Sequence, residues 1–132
     1  MEIREYQDLA MRTNDGACSS RVQLKIDEFF ADLLKADSDE TIIDPGELLN
    51  GALGLPGEAG EVADLVKKYI FHGHDLNRGE LVKEIGDVCW YLALLCHAID
   101  VPLEVVMISN IEKLRNRYPE GFSESASINR TE

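Results

Sequence analysis

The chain has 132 residues, of which 45% are hydrophobic and 29% charged, a composition that fits one globular domain and excludes wholesale disorder. Its formal net charge of −12 argues against a duplex nucleic acid as partner, because proteins gain affinity for the phosphate backbone from Lys and Arg. A small anionic ligand would require a local cation, either a basic patch or a metal ion.

The sequence carries no recognisable targeting signal or membrane segment. The first residues, MEIREYQDLAM, place charges in every turn, unlike a secretory signal. The longest nearly apolar run, Val88 to Ile99, is twelve residues long, well short of the roughly 20 that cross a bilayer. We therefore predict a cytoplasmic protein. Cys89 and Cys96 share one helical face, and we expect buried, reduced thiols.

Apolar residues at helical spacing predict five helices, in chain order over residues 2–13, 20–35, 46–71, 79–99 and 102–118. We predict a loop over residues 36–45 and a connection over residues 72–78. The Ser-rich tail of residues 119–132 is predicted to be loose. No strand-like alternation of useful length occurs. The prediction is a single all-α domain over residues 1–132, a four- to five-helix bundle subunit.

The predicted third helix contains residues that weaken helices, namely Gly51, Gly54, Pro56, Gly57 and Gly60. An interior Pro costs about 3 kcal/mol and each Gly up to about 1 kcal/mol relative to Ala. Such residues indicate either the close approach of another backbone or a kink beside a functional site.

Two acidic pairs stand out on the third and fourth helices: Glu58 with Glu61, and Glu84 with Asp87. The i, i+3 spacing places each pair on one helical face. Spacing alone is weak evidence, because acidic residues fill 25 of 132 positions and chance gives about five such pairs. However, Glu84 and Asp87 fall within an apolar stripe, at the edge of the surface that faces the core.

Crowded, partly buried carboxylates must take up protons or find a counter-ion. A divalent cation meets that need, and an all-oxygen ligand set without Cys or His favours magnesium or manganese. Magnesium commonly completes its shell with substrate phosphates. The sequence therefore predicts a Mg2+ site, with Mn2+ as the other possible cation, and a phosphorylated ligand.

Basic residues occur where such a ligand would need them: Lys67 and Lys68 follow Glu61 on the same helix, and Lys113, Arg115 and Arg117 lie near the end of the fifth. The alternative interpretation is stabilisation of helix C-termini, worth about 0.3–1 kcal/mol each.

Three other residues on the fourth helix invite interpretation. Trp90 is expected in the core or in a dimer interface, and His97 in the core. Tyr91 continues the face of Glu84 and Asp87 by one turn, which favours a position beside the ligand.

The stretch of residues 48–122 resembles the MazG-like nucleotide pyrophosphohydrolases, within the all-α NTP pyrophosphohydrolase superfamily. The family pattern is Glu-x-x-Glu, a spacer and then Glu-x-x-Asp, and it is matched by Glu58, Glu61, Glu84 and Asp87. Four longer strings are similar to family segments in the same order: GLPGEAGEVADLVKK, FHG, EIGDVCWYLA and NIEKLRNRYPEGF.

This resemblance implies hydrolysis of a nucleoside triphosphate to the monophosphate and pyrophosphate, with Mg2+ bound by the four carboxylates and with Glu58 or Glu61 taking the proton of the attacking water. It also implies homodimers or homotetramers with sites near subunit interfaces. The residues that would contact the substrate are Lys68, Tyr91, Asn110, Lys113, Arg117 and Tyr118. Residues 14–44 depart from the family pattern.

Two further interpretations stay open from the sequence. The chain could be a non-catalytic helical interaction or regulatory dimer whose acidic pairs form a solvated face. It could also carry out the same chemistry on another pyrophosphate, such as phosphoribosyl-ATP or an alarmone. The base, the sugar and the number of metal ions per site are not encoded in any spacing.

Overall fold

The computed structural model describes residues 3–35 and 42–128, and within them it contains helices and no strands. The all-α class is therefore confirmed. The helices are α1 (Ile3–Met11), α2 (Cys18–Leu33), α3 (Pro45–Phe71), α4 (Arg78–Ala98), α5 (Leu103–Arg117) and α6 (Glu124–Ile128).

The five predicted helices all occur, with ends that differ by a few residues. Two predictions fall partly outside the described residues: the start of the first helix at Glu2, and residues 36–41 of the predicted loop. The tail prediction needs a correction, because the short helix α6 forms after Ser123. A Ser before the helix and Glu124 in its first turn favour a helical start. Residues 129–132 of the tail also lie outside the described part.

Side-chain caps fix where the two longest helices begin. The Asp44 carboxylate accepts hydrogen bonds from the backbone N–H groups of Gly46 and Glu47, at 2.7 and 3.2 Å, and Pro45 occupies the first turn. The Asn77 side chain accepts in the same way from Gly79 and Glu80, at 3.1 and 3.2 Å. Each cap satisfies N–H groups that have no partner inside the helix.

Helices α3 and α4 pack together far more extensively than any other described pair, and α4 with α5 and α2 with α3 make smaller contacts. The α3–α4 seam, meaning the line of contact between these two helices, includes Gly51 against Leu95 and Gly54 against Tyr91. Two of the predicted weak points in α3 thus mark close approach. The helix continues through Pro56 and remains a single element of 27 residues.

The subunit buries little on its own. Only Cys96 and Ala98 among the described apolar side chains are buried, and large apolar residues on every long helix are exposed. Two expectations are therefore corrected: Cys89 is exposed, and His97 lies at the surface. Cys89 has no covering helix in the described part of the chain, whereas His97 faces Glu47 of α3 and still remains largely in solvent. Trp90 is 56% exposed in the single chain, so it is outside the core, and its expected place in a dimer interface stays a prediction.

No single helix in residues 3–35 and 42–128 has the length and apolar character needed to cross a membrane. Helices α4 and α5 meet those criteria only when taken together, and they are bent by 101° relative to each other.

Helices α3 and α4 form an antiparallel hairpin, and an ion pair joins the start of α3 to the end of α4. The His97 Nδ1 atom on α4 lies 2.7 Å from a Glu47 carboxylate oxygen on α3. Hydrogen bonding to Glu47 raises the pKa of His97, and the charges of Glu47, Asp100 and Asp44 act in the same direction against a small desolvation effect. The pair therefore stabilises the folded chain when His97 is protonated.

Because the folded pKa of His97 is raised above 6.5, the stabilisation is fully present below that value and is lost as the pH rises through the raised pKa. We expect His97→Gln to lower the melting temperature at pH 5.5 and to have no effect at pH 9. The control is His74→Gln, since the ring of His74 has no ion-pair partner in the described residues. An equal effect of His97→Gln at both pH values would contradict the prediction.

Candidate metal centre and substrate site

The α3–α4 seam brings three of the four predicted metal ligands together. Carboxylate oxygens of Glu58 on α3 and of Glu84 and Asp87 on α4 lie within 4.8 Å of one another. Glu58 and Glu84 are half-buried, and Asp87 is exposed. We call these three residues the carboxylate group. The fourth predicted ligand, Glu61, is exposed one turn further along α3 and does not belong to it.

The contact between α3 and α4 explains how residues 26 and 29 positions apart in the sequence meet. Glu58 lies four residues after Gly54, and Asp87 four residues before Tyr91, so each is one turn from the point where Gly54 and Tyr91 touch. The helices run antiparallel, and the one-turn steps therefore lead to the same level of the hairpin. This shared level is where the carboxylate group forms.

The carboxylate group has no cationic side chain as partner among residues 3–35 and 42–128: none of the ion pairs found there involves Glu58, Glu84 or Asp87. Magnesium lies about 2.1 Å from its oxygen ligands, so that opposite ligands are about 4.2 Å apart. A small rotation of the side chains would bring oxygens now within 4.8 Å to that spacing. The donor set thus fits a hard divalent cation.

Lys68 is half-buried near the end of α3 and pairs with Asp64, with 2.6 Å between Nζ and the carboxylate oxygen. Lys67 pairs with the other oxygen of Asp64. Hydrogen bonds from Lys67 and then from Lys68 lower the pKa of Asp64 to about 2. Asp64 in turn raises the pKa of Lys68, and the charges of Glu61 and Glu80 add to that effect. Asp64 was missed in the sequence, although its spacing before both lysines is a detectable signal.

The ring of Tyr91 is half-buried and lies in the α3–α4 seam beside Gly54. It also makes an edge-to-face contact with Trp90, with 4.9 Å between the ring centroids. Tyr91 is thus one turn from the carboxylate group, as its spacing predicts, and it contributes to helix packing as well.

The predicted substrate residues from α5 are located separately. Asn110 and Lys113 are exposed, whereas Arg117 and Tyr118 are half-buried at the end of the helix. The Tyr118 ring packs against Phe122, with 5.5 Å between centroids. Within the described ranges, no hydrogen bond or ion pair connects these four residues to the carboxylate group.

The chain is similar to a known protein family and to a phage protein. A model of the MazG nucleotide pyrophosphohydrolase domain matches residues 49–122, which contain all of the predicted site residues. The Gene 37 protein of Mycobacterium phage L5 is 35% identical over 111 residues, covering 75% of this chain and 97% of the phage protein. No solved structure matches the chain.

The chain belongs to the MazG nucleotide pyrophosphohydrolase family. This membership indicates a hydrolase that acts on nucleotide pyrophosphates. Enzymes of the family are typically metal-dependent, and the carboxylate group is a cluster that could hold a metal ion.

Crowding of like charges in the carboxylate group should be measurable without any metal. Repulsion of this kind on a helix is worth about 0.2–0.5 kcal/mol for each pair. We expect Glu84→Gln to raise the melting temperature in EDTA at neutral pH by roughly 1–3 °C. The control is Glu120→Gln, which removes an exposed charge outside the group. An increase in the control as large as that in Glu84→Gln would mean that net charge, and not crowding, is responsible.

Proposed function

We propose that the protein is a magnesium-dependent nucleoside triphosphate pyrophosphohydrolase, which converts an NTP or dNTP to the monophosphate and pyrophosphate. Manganese would substitute for magnesium. The observation that carries this proposal is the carboxylate group, in a chain of the MazG family. Its three acidic side chains have no ion-pair partner within residues 3–35 and 42–128, and they meet on the best-packed helix pair of that part of the chain. Such an enzyme would meet its substrate in the cytoplasm.

In this proposal Glu58, Glu84 and Asp87 hold the cation, and Glu61 completes the site. A bound divalent cation would neutralise phosphate charge and lower the pKa of a coordinated water. Water attacks the α-phosphorus while the bond from that phosphorus to the bridging oxygen breaks and pyrophosphate leaves on the opposite side. A carboxylate accepts the proton that the water loses. Glu61 suits this role best, because it is adjacent to the carboxylate group yet outside it.

Six residues are proposed to contact the substrate, namely Lys68, Tyr91, Asn110, Lys113, Arg117 and Tyr118. Lys68 would bind phosphate oxygens, and it would then have to exchange its pairing with Asp64 for pairing with the nucleotide. Tyr91 lies next to the carboxylate group and would contact the nucleotide with the part of its ring that the seam leaves exposed. The four α5 residues would complete the pocket.

We also propose that the working form is a homodimer or homotetramer. The chain exposes 11051 Å², whereas a folded monomer of 14.8 kDa exposes about 7,000 Å². The difference of roughly 4,000 Å² for one chain is larger than the roughly 1,000–2,500 Å² that each partner buries in most obligate dimers, so it is sufficient for contacts with one or more partner chains. Exposed apolar side chains on α5, including Met107, Ile108 and Ile111, supply suitable contact surface.

The activity test is a panel of ribo- and deoxyribonucleoside triphosphates, assayed for pyrophosphate with and without Mg2+. We expect release only with the cation, and a loss of roughly 100-fold or more in Glu84→Gln and Asp87→Asn, because even outer-shell changes cost 10–100-fold at metal sites. Glu120→Gln should retain full activity. A non-catalytic dimer would release no pyrophosphate at all, and release from phosphoribosyl-ATP or an alarmone alone would reassign the substrate.

The role of Glu61 can be separated from that of the ligands by one variant. If Glu61 accepts the proton, Glu61→Gln lowers kcat by roughly 100-fold and leaves the affinity for Mn2+, measured by titration calorimetry, unchanged. A matching loss of Mn2+ affinity would instead make Glu61 a fourth ligand.

For the oligomer, we expect sedimentation equilibrium to give a multiple of 14.8 kDa and the melting temperature to rise with protein concentration. Ile111→Glu should lower both the mass and the melting temperature. Ser109→Glu adds the same charge to α5 without removing an apolar side chain and is the control. A monomeric mass with a concentration-independent melting temperature would refute the proposed assembly.

A further inference from the structure

The α3–α4 seam has one regular register from the start of α3 to the carboxylate group. Successive contacts advance by three or four residues on α3 and step back by two to four residues on α4. In order, they are Glu47 with His97, Gly51 with Leu95, Gly54 with Tyr91, and Glu58 with Asp87 and Glu84. The contact between Gly54 and Tyr91 is therefore the last one before the carboxylate group.

Gly54 is the tightest point of this seam. A Cβ atom added there would lie 2.1 Å from Cε1 of Tyr91 and 2.2 Å from its Cζ, whereas carbon atoms in contact are separated by about 3.5–4.0 Å. Even an alanine would thus require a displacement of about 1.4 Å or more. The Tyr91 ring is rigid, so it must swing out as a whole or the two helices must separate.

The other glycines of α3 differ in this respect. At Gly51 an added Cβ would lie 2.7 Å from Cγ of Leu95, which belongs to an aliphatic side chain that can change its rotamer, and at Gly57 and Gly60 it would meet nothing within 4 Å. The requirement for glycine is therefore strongest at the position one turn from Glu58.

We propose that Gly54 is a positioning residue for the carboxylate group, and that the packing of Tyr91 on Gly54 sets the distance between α3 and α4 at which Glu58 meets Glu84 and Asp87. The inference rests on the proposed function, because it takes this distance between α3 and α4 to be the one that cation binding requires. Glu58 follows Gly54 by four residues, about 6 Å along the helix axis. A displacement of α3 at Gly54 therefore moves Glu58 by nearly the same distance. The three oxygens lie within 4.8 Å of one another, whereas opposite ligands of Mg2+ are about 4.2 Å apart, so the site tolerates little further separation of the helices.

The test is the binding of Mn2+ to the full chain without nucleotide, followed by titration calorimetry, so that any role of Tyr91 in substrate binding does not enter. We expect Gly54→Ala to weaken Mn2+ binding roughly 10-fold or more, as supporting residues at metal sites do. Replacing the ring should remove the conflict. In a Tyr91→Leu background, Gly54→Ala should therefore change the affinity less than twofold.

The control is Gly57→Ala, on the same helix, which should bind Mn2+ as the wild type does. Circular dichroism and sedimentation of each variant report folding and assembly. An equal effect of Gly54→Ala with and without the Tyr91 ring, or no effect in either case, overturns the inference. So does a Gly54→Ala variant that fails to fold in both backgrounds, whereas recovery of folding and Mn2+ binding in the double variant supports it. Failure of the wild type to bind Mn2+ refutes the proposed metal site itself.

Discussion

The packing of α3 against α4 is the constraint on which the rest of the structure depends. It is the one extensive contact between described helices, and its closeness requires Gly51 and Gly54, since a side chain at either would overlap Leu95 or Tyr91. The seam also sets the register between the two helices in which Glu58 faces Glu84 and Asp87. Residues that weaken α3 as an isolated helix thereby allow the close packing beside the candidate site, and tertiary packing offsets their low helix propensity.

The two halves of the proposed site have different structural support. The carboxylate group is complete within one hairpin, whose ends are held by the caps at Asp44 and Asn77 and by the pair of Glu47 with His97. The proposed substrate residues of α5 belong to a helix that makes fewer contacts and exposes much of its apolar surface. The proposed cation binding would therefore depend on the hairpin, while the proposed nucleotide contacts would depend on which surface packs against α5.

Local patterns were enough to predict the helices and the carboxylate pairs, because both follow from helical periodicity. Predictions that required tertiary neighbours were less successful. Cys89 and His97 were assigned to buried positions from their apolar surroundings, yet both are exposed in the subunit, since periodicity identifies a face but not what covers it. Similarly, i, i+3 spacing could not reveal that Glu61 lies outside the group formed by its neighbour Glu58, which depends on the register against α4.

The charge distribution explains why a bound cation matters more here than the lysines do. Asp64 has its pKa lowered to about 2 and is therefore ionised throughout the neutral range, where it offsets the charge of Lys67 and Lys68. With a net charge of −12, the chain as a whole repels a triphosphate. Two paired lysines cannot reverse that repulsion, whereas the proposed divalent ion, held by Glu58, Glu84 and Asp87, would place positive charge directly at the phosphates. Attraction of the substrate and activation of water would thus depend on the same ion.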